Sequence, residues 1–206
     1  MPVLRREGRS VLFVHVPKAG GSAIERVFGQ SGWKVLYRDP KEGPDSMNRL
    51  RRCSPQHMHR SMLETIFEMD RFDGIFMTVR DPLARFRSEY AMRNQSAVTA
   101  AAEHVDEWAE RAFLRYAEDP FVFDNHLRPQ SEFYVPGCLV YRLEDGLEGV
   151  VRDLDARWDL GLVQEVPRVM DRQVASGSAS SEVRVSAALE ARLRACYSED
   201  LTRFGY

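Results

Sequence analysis

Residues 10–25 constrain the fold of this chain more than any other stretch, and they read SVLFVHVPKAGGSAIE. The first half is almost continuously apolar and rich in β-branched and aromatic residues, which is typical of a strand buried on both faces. Two glycines follow, and after them the sequence has helical character. The pattern predicts a strand, a tight glycine turn and a helix N-terminus in direct succession.

The turn in this unit carries groups that bind anions. Lys18 offers an ammonium and Ser22 a hydroxyl, and the helix N-terminus adds backbone N–H groups and the positive end of its dipole. The sequence therefore predicts a phosphate or sulfate site. It is not a Walker A motif, because Lys18 precedes both glycines. Taken alone, the segment fits a tight turn with a surface lysine equally well.

Length and composition set the class of protein. The chain has 206 residues, 44% hydrophobic and 29% charged, which indicates one globular domain over residues 1–206 with a substantial core. The net charge of -2 leaves no overall basic field and disfavours indiscriminate nucleic-acid binding. Three widely spaced cysteines form neither a disulfide framework nor a CxxC metal site. Without a signal-peptide pattern or an apolar run of about 20 residues, we expect a cytoplasmic protein with no transmembrane segment.

Strand and helix patterns alternate along the chain. Strands are predicted at residues 11–16, 34–37, 74–79 and 138–143, and helices at 22–29, 61–69, 82–94, 105–117, 149–158 and 186–204. Ser61 and Glu64 suggest a capping box, residues 38–48 a surface loop, and residues 176–181 a mobile loop. The alternation predicts an α/β, P-loop-like three-layer fold with a mainly parallel central sheet flanked by helices. Ligands of such folds bind beyond the carboxyl ends of the strands.

A second segment, VRDPLARFRSEY at residues 79–90, also begins at the end of a predicted strand. Asp81 suits a helix N-cap, and Pro82 suits the first turn. Arg80 and Ser88 together would bind a phosphate. In isolation, a solvated arginine and an ordinary helical serine explain this segment better. Two anion sites at two strand ends, however, favour a ligand with separated anionic groups.

The pair FVHVPKAGGS and VRDPLARFRSEY resembles the two signatures of sulfotransferases that use 3′-phosphoadenosine 5′-phosphosulfate (PAPS). It is most similar to heparan- and chondroitin-type carbohydrate sulfotransferases and their bacterial relatives. The resemblance implies that the first motif holds the 5′-phosphosulfate, with Lys18 facing the leaving group, and that the second holds the 3′-phosphate. The implied PAPS-binding residues are Pro17, Lys18, Ala19, Gly20, Gly21, Ser22, Ala23, Arg80 and Ser88, with Arg184 a weaker candidate that would cover the nucleotide. No metal ligand spacing is present, so we expect no metal cofactor.

Sulfuryl transfer to a hydroxyl needs a general base, and the chain has five histidines. We expect His15 to be packed in its strand and His104 to be solvated. His57 and His59 would face opposite ways in extended backbone, so only one would reach the site. His57 is favoured, because Gln56-His57 resembles the family position, and His59 is the alternative. Both could also be ordinary loop histidines.

Residues 124–131, DNHLRPQS, are similar to a family segment near the acceptor. His126, Arg128 and Gln130 are therefore candidate substrate-binding residues, and structural loop roles fit them equally well. The basic run at Arg49, Arg51 and Arg52 could attract an acidic acceptor, although such runs more often form a solvated surface without a binding role. The resemblance predicts transfer to a hydroxyl of a carbohydrate or glycolipid. Two alternatives are a P-loop-like nucleotide or small-molecule kinase and a non-catalytic nucleotide-binding module.

Overall fold

The computed structural model describes residues 2–39, 45–94, 101–167 and 180–206. A five-stranded sheet lies at the centre of these residues, with the strand order β3-β1-β2-β4-β5. The strands are β1 (Val3–Arg6), β2 (Arg9–Val14), β3 (Lys34–Leu36), β4 (Gly74–Val79) and β5 (Leu139–Arg142). The predicted strands are thus all present, each at most two residues from its predicted start and within two of its predicted end.

The sheet is mixed. Strands β2, β4 and β5 are parallel, whereas β1 pairs antiparallel with both β2 and β3. The expectation of a mainly parallel sheet was therefore wrong for the β3-β1 half. Strand β1 escaped prediction because it is only four residues long and ends at the tight turn of Glu7 and Gly8, whose φ angles are 51° and 84°.

Helices connect and cover the strands. Within the described ranges these are α1 (Gly21–Gln30), α2 (Arg60–Ile66), α3 (Pro82–Arg93), α4 (Ala102–Glu118), α5 (Leu147–Trp158), α6 (Ala187–Cys196) and α7 (Ser198–Phe204). The single helix predicted at residues 186–204 is broken at Tyr197 into α6 and α7. The predicted capping box is wrong, because α2 begins at Arg60 after His59 and Ser61 already lies in its first turn. Residues 40–44 and 176–179 of the two predicted loops lie outside the described residues.

Alternating residues of the central strands fill two separate cores. Leu12, Val14, Met77 and Val79 face one core, together with Leu63 of α2 and Phe204 of α7. Phe13 and Phe76 face the other, together with Ile24 and Phe28 of α1 and Leu154 of α5. A further cluster joins α3, α4 and α6. Helices thus cover both faces, and the α/β architecture places the carboxyl ends of β2 and β4 side by side. No helix in the described ranges is long and apolar enough to cross a membrane.

Candidate active site

The first junction runs from β2 into α1. Its backbone turns through two left-handed residues, Lys18 with φ of 68° and Gly20 with φ of 85°, and Gly20 is the N-cap residue of α1. Left-handed residues next to helical ones turn successive N–H groups toward one side and form an anion-binding concavity. Ser22 is exposed in the first turn of α1. The junction therefore has the form of an anion cradle.

His15 packs directly beneath this cradle. A Cβ atom on Gly21 would lie 2.1 Å from His15 Nε2, so the close approach requires a glycine. The ring is fixed on its other side, because His15 Nδ1 lies 2.6 Å from Glu25 Oε1. Glu25 also pairs with Arg38. His15 is therefore buried and hydrogen-bonded, as the sequence led us to expect.

The second junction runs from β4 into α3. Asp81 Oδ1 accepts a hydrogen bond of 2.7 Å from the Ala84 N–H, and Pro82 begins the helix, as predicted. The side chain of Gln130 holds the Arg80 backbone from both sides, accepting from its N–H at 2.9 Å and donating to its carbonyl at 2.7 Å. Arg80 Nη1 lies 3.5 Å from the Lys18 carbonyl oxygen. The two junctions are therefore neighbours.

Helix α3 contributes further groups to this region. Lys18 Nζ lies 3.5 Å from Met92 Sδ, so the lysine extends from the first junction toward α3. Ser88 is buried on the same helix. Arg184 is exposed and follows Val183, which packs in the cluster that contains Phe86 and Tyr90 of α3. Lys18 contacts α3, the helix that carries Ser88 and packs against the segment of Arg184, and the nucleotide-binding role of the three residues stays a prediction.

Three histidines lie in ring contact beside the first junction. The His57 ring centroid is 5.0 Å from that of His15 and 4.9 Å from that of His126, both edge to face. Each ring uses Nδ1 to contact a carboxylate. His57 Nδ1 is 2.6 Å from Asp124 Oδ2, and His126 Nδ1 is 2.5 Å from Glu89 Oε2. The structure thus brings together His57 and His126, which the sequence had placed in separate roles.

The surroundings of His57 and His126 keep both imidazoles unprotonated at neutral pH. Burial lowers the pKa of His57 to about 3, because the loss of hydration outweighs the hydrogen bond to Asp124 and the neighbouring imidazoles oppose a positive charge. Burial likewise lowers the pKa of His126. Burial alone would raise the pKa of Glu89, but His126 and Arg93 outweigh it and lower that pKa to about 2. At neutral pH the carboxylates are ionised and the imidazoles can accept a proton.

Arg85 connects the first junction to the histidine cluster. Its side chain is fully buried, with Nε donating to the Pro17 carbonyl at 3.0 Å and Nη2 donating to the His126 carbonyl at 2.7 Å. The sequence alone gives Arg85 no role, and it pairs neither Glu89 with His126 nor Asp124 with His57. The partners of these two pairs are 37 and 67 residues apart, and a single sequence carries no pattern that links residues at such distances.

The other predicted site residues occupy different places. His59 lies outside the ring cluster, with Nε2 3.0 Å from the Ser61 hydroxyl and its ring edge against Phe121. Burial and Arg128 lower the pKa of His59 to about 4. Arg128 is buried, contacts Asn125 Oδ1 at 3.1 Å and pairs with Glu132. Arg128 and Gln130 thus bind groups inside the protein.

The histidine cluster could also hold a cation. One donor atom from each of His57, Asp124 and His126 lies within 4.8 Å of the others, and this is the one such group among the residues that the structure describes. Imidazole and carboxylate groups suit divalent transition metals. Activity after removal of metal ions therefore tests whether a cation bound here takes part in the reaction.

Comparison with known proteins identifies the family of the chain. A model of the sulfotransferase family matches residues 3–206, which is almost the whole chain. Searches of curated proteins and of solved structures found no significant match. The chain therefore belongs to the sulfotransferase family and is a sulfotransferase enzyme.

Proposed function

We propose that the chain transfers a sulfuryl group from PAPS to a hydroxyl of a carbohydrate or glycolipid, with His57 as the general base. One observation supports this most strongly: two potential anion sites lie at the ends of the adjacent parallel strands β2 and β4, and a carboxylate-bound histidine stands beside them. We also propose that residues 1–206 act as one domain and have a P-loop-like nucleotide site.

The donor would bind across the two junctions. Backbone N–H groups of residues 17–23, the Ser22 hydroxyl and the Lys18 ammonium would hold the 5′-phosphosulfate, while Arg80 and Ser88 would hold the 3′-phosphate. Arg184 would cover the nucleotide. The contact between Arg80 Nη1 and the Lys18 carbonyl at 3.5 Å supports simultaneous use of both sites. A ligand that carries phosphate on both sides of its ribose satisfies this arrangement, and ADP does not.

PAPS supplies an activated sulfuryl group and a phosphate leaving group, and the protein supplies the proton transfer. His57 Nε2 would take the proton from the acceptor hydroxyl as the new oxygen–sulfur bond forms. When the bond between sulfur and the phosphate oxygen breaks, its electron pair stays on that oxygen. Lys18 and the N–H groups of the cradle would stabilise the charge that develops there. At neutral pH the lowered pKa of His57 leaves its imidazole unprotonated, and the Asp124 carboxylate at Nδ1 would stabilise the imidazolium that forms when the proton is taken up.

The acceptor would bind on the His126 side of the cluster. His126 lies in ring contact with His57, and the exposed Arg52 lies over Phe121 with its guanidinium 4.1 Å from the ring centroid. This surface would attract an acidic glycan. We propose that His126 contacts the acceptor, whereas Arg128 and Gln130, whose side chains hydrogen-bond to groups of the protein itself, support the site from inside.

The transfer itself tests this proposal. We expect the purified protein to move ³⁵S from labelled PAPS to at least one member of a panel of desulfated heparin, chondroitin and glycolipids, and to keep that activity after dialysis against EDTA. Labelled ATP with magnesium serves as the control donor. Transfer of phosphate from ATP, with none of sulfur from PAPS, would instead establish the kinase alternative.

A further inference from the structure

The backbone next to His57 contains three consecutive left-handed residues. Phe123, Asp124 and Asn125 have φ angles of 53°, 60° and 64°. For residues other than glycine this conformation is sterically strained, and less so for Asp and Asn. Such a run persists only where the surrounding contacts stabilise it, and strained backbone of this kind concentrates at functional sites.

The contacts that stabilise this turn converge on His57. Asp124 Oδ2 contacts the ring at Nδ1, and Asn125 Nδ2 donates 2.8 Å to the His57 carbonyl oxygen. Asp124 Oδ1 also accepts from the Ser54 N–H at 2.5 Å. Arg93 Nη2 donates to the Phe123 carbonyl at 3.1 Å. Two successive residues thus hold His57 by its ring and by its main chain.

Both oxygens of Asp124 act as acceptors, and this determines which ring nitrogen of His57 carries the proton. The Ser54 N–H can only donate, so it requires an acceptor at Oδ1. The other oxygen is ionised and also accepts, so the neutral imidazole places its proton on Nδ1. The lone pair then lies on Nε2. An asparagine has one acceptor oxygen, so it could serve Ser54 or His57 but not both.

We propose that Asp124 is a positioning residue that fixes the Nδ1–H tautomer of His57 and leaves Nε2 as the proton acceptor, and that the left-handed turn exists to hold it there. The tautomer is a property of the free protein. Only its catalytic consequence rests on the proposed function.

Nitrogen-15 NMR of histidine-labelled protein tests the tautomer without any substrate. We expect the two-bond correlation pattern of His57, identified by its loss in His57→Gln, to be that of the Nδ1–H tautomer at pH 7. In Asp124→Asn we expect the Nε2–H tautomer to appear. A wild-type His57 in the Nε2–H tautomer would overturn the proposal whatever reaction the enzyme catalyses, even if no variant at position 124 folds.

Steady-state kinetics with the best acceptor of the panel then test whether the tautomer of His57 matters for catalysis. We expect kcat for Asp124→Asn to fall on the order of 10³-fold or more, as expected when an orienting carboxylate becomes an amide, with unchanged affinity for adenosine 3′,5′-bisphosphate. Asp124→Glu should recover part of the loss. Asp70→Asn, the same isosteric change at an exposed residue between α2 and β4, is the matched control and should keep kcat within about twofold. A folded Asp124→Asn with normal kcat, or a loss confined to nucleotide binding, would contradict a positioning role.

Discussion

At the scale of single residues, the site is built from histidines that each contact a carboxylate. The sequence named His57 and His126 but not Asp124 or Glu89, because one sequence cannot show which distant acids will face which rings. His57 also differs from its neighbours in access: its side chain is 13% exposed, compared with 6% for His15 and 9% for His126. The proposed base, His57, thus has the most accessible side chain of the three.

Replacing His57 distinguishes the two candidate bases. We expect His57→Ala to lower kcat on the order of 10²–10⁴-fold, the usual contribution of a general base, while the affinity for adenosine 3′,5′-bisphosphate stays within about twofold of wild type. The measurement is ³⁵S transfer combined with calorimetry. His104→Ala, at an exposed position of α4, is the control. An active His57→Ala together with an inactive His59→Ala would move the base to His59.

The lowered pKa of His57 predicts how activity and stability depend on pH. Because folded His57 stays neutral down to about pH 3, kcat/KM should show no fall near pH 6.5. In the unfolded chain a histidine takes up its proton near pH 6.5. The unfolded state then binds more protons as the pH falls, so the contribution of His57 to stability is full above pH 6.5 and is lost between there and about pH 3.

Rate profiles and thermal denaturation between pH 8 and pH 4 check this dependence, with near-UV circular dichroism to confirm that the protein remains folded at each pH. A fall in kcat/KM centred near pH 6.5 in the wild type, and still present in His104→Ala, would contradict a His57 base with this lowered pKa. A melting temperature that rises as the pH falls from 6.5 would contradict the predicted loss of stability.

At the scale of elements, the sequence predicted the two strand-to-helix junctions but not the tertiary contacts that hold them in place. Strands β2 and β4 and the start of α3 follow from apolar runs, the N-cap Asp81 and Pro82, all of which are local signals. The contact between His15 and Gly21 is a tertiary contact across the junction, and no propensity reports it. Gln130 likewise holds the Arg80 backbone from a 3-10 turn 50 residues further along the chain.

Two glycines of α1 allow a matched test of the first junction. Gly21→Ala should destabilise the protein by about 1–3 kcal/mol, as overpacking does, because its Cβ would lie 2.1 Å from His15 Nε2. It should also weaken the binding of adenosine 3′,5′-bisphosphate. Gly29→Ala meets nothing within 4 Å and should stabilise the helix by about 0.5–1 kcal/mol.

Urea denaturation and calorimetry on both variants provide the readout for this test. If Gly21→Ala were as stable as Gly29→Ala and bound the bisphosphate normally, the close packing of His15 beneath the cradle would not matter for the site.

At the scale of the whole molecule, the sheet brings the two motifs together. Lys18 and Arg80 are 62 residues apart in the chain, and the parallel pairing of β2 with β4 makes their junctions neighbours. The sequence predicted that both junctions lie at the carboxyl ends of strands in one sheet, but it did not predict which strands are neighbours. It did not predict β1 or the antiparallel pairing of β1 with β2 and β3, because a four-residue strand carries too little pattern to identify.

The central claim is that these two junctions bind one nucleotide with two separated phosphates. Isothermal calorimetry of adenosine 3′,5′-bisphosphate and of ADP against the wild type and Arg80→Ala tests it most directly. We expect the wild type to prefer the bisphosphate by about 10- to 100-fold, the value of a charge-assisted contact, and Arg80→Ala to lose that preference. Equal affinity of the wild type for both nucleotides, or no binding of the bisphosphate, would contradict the account.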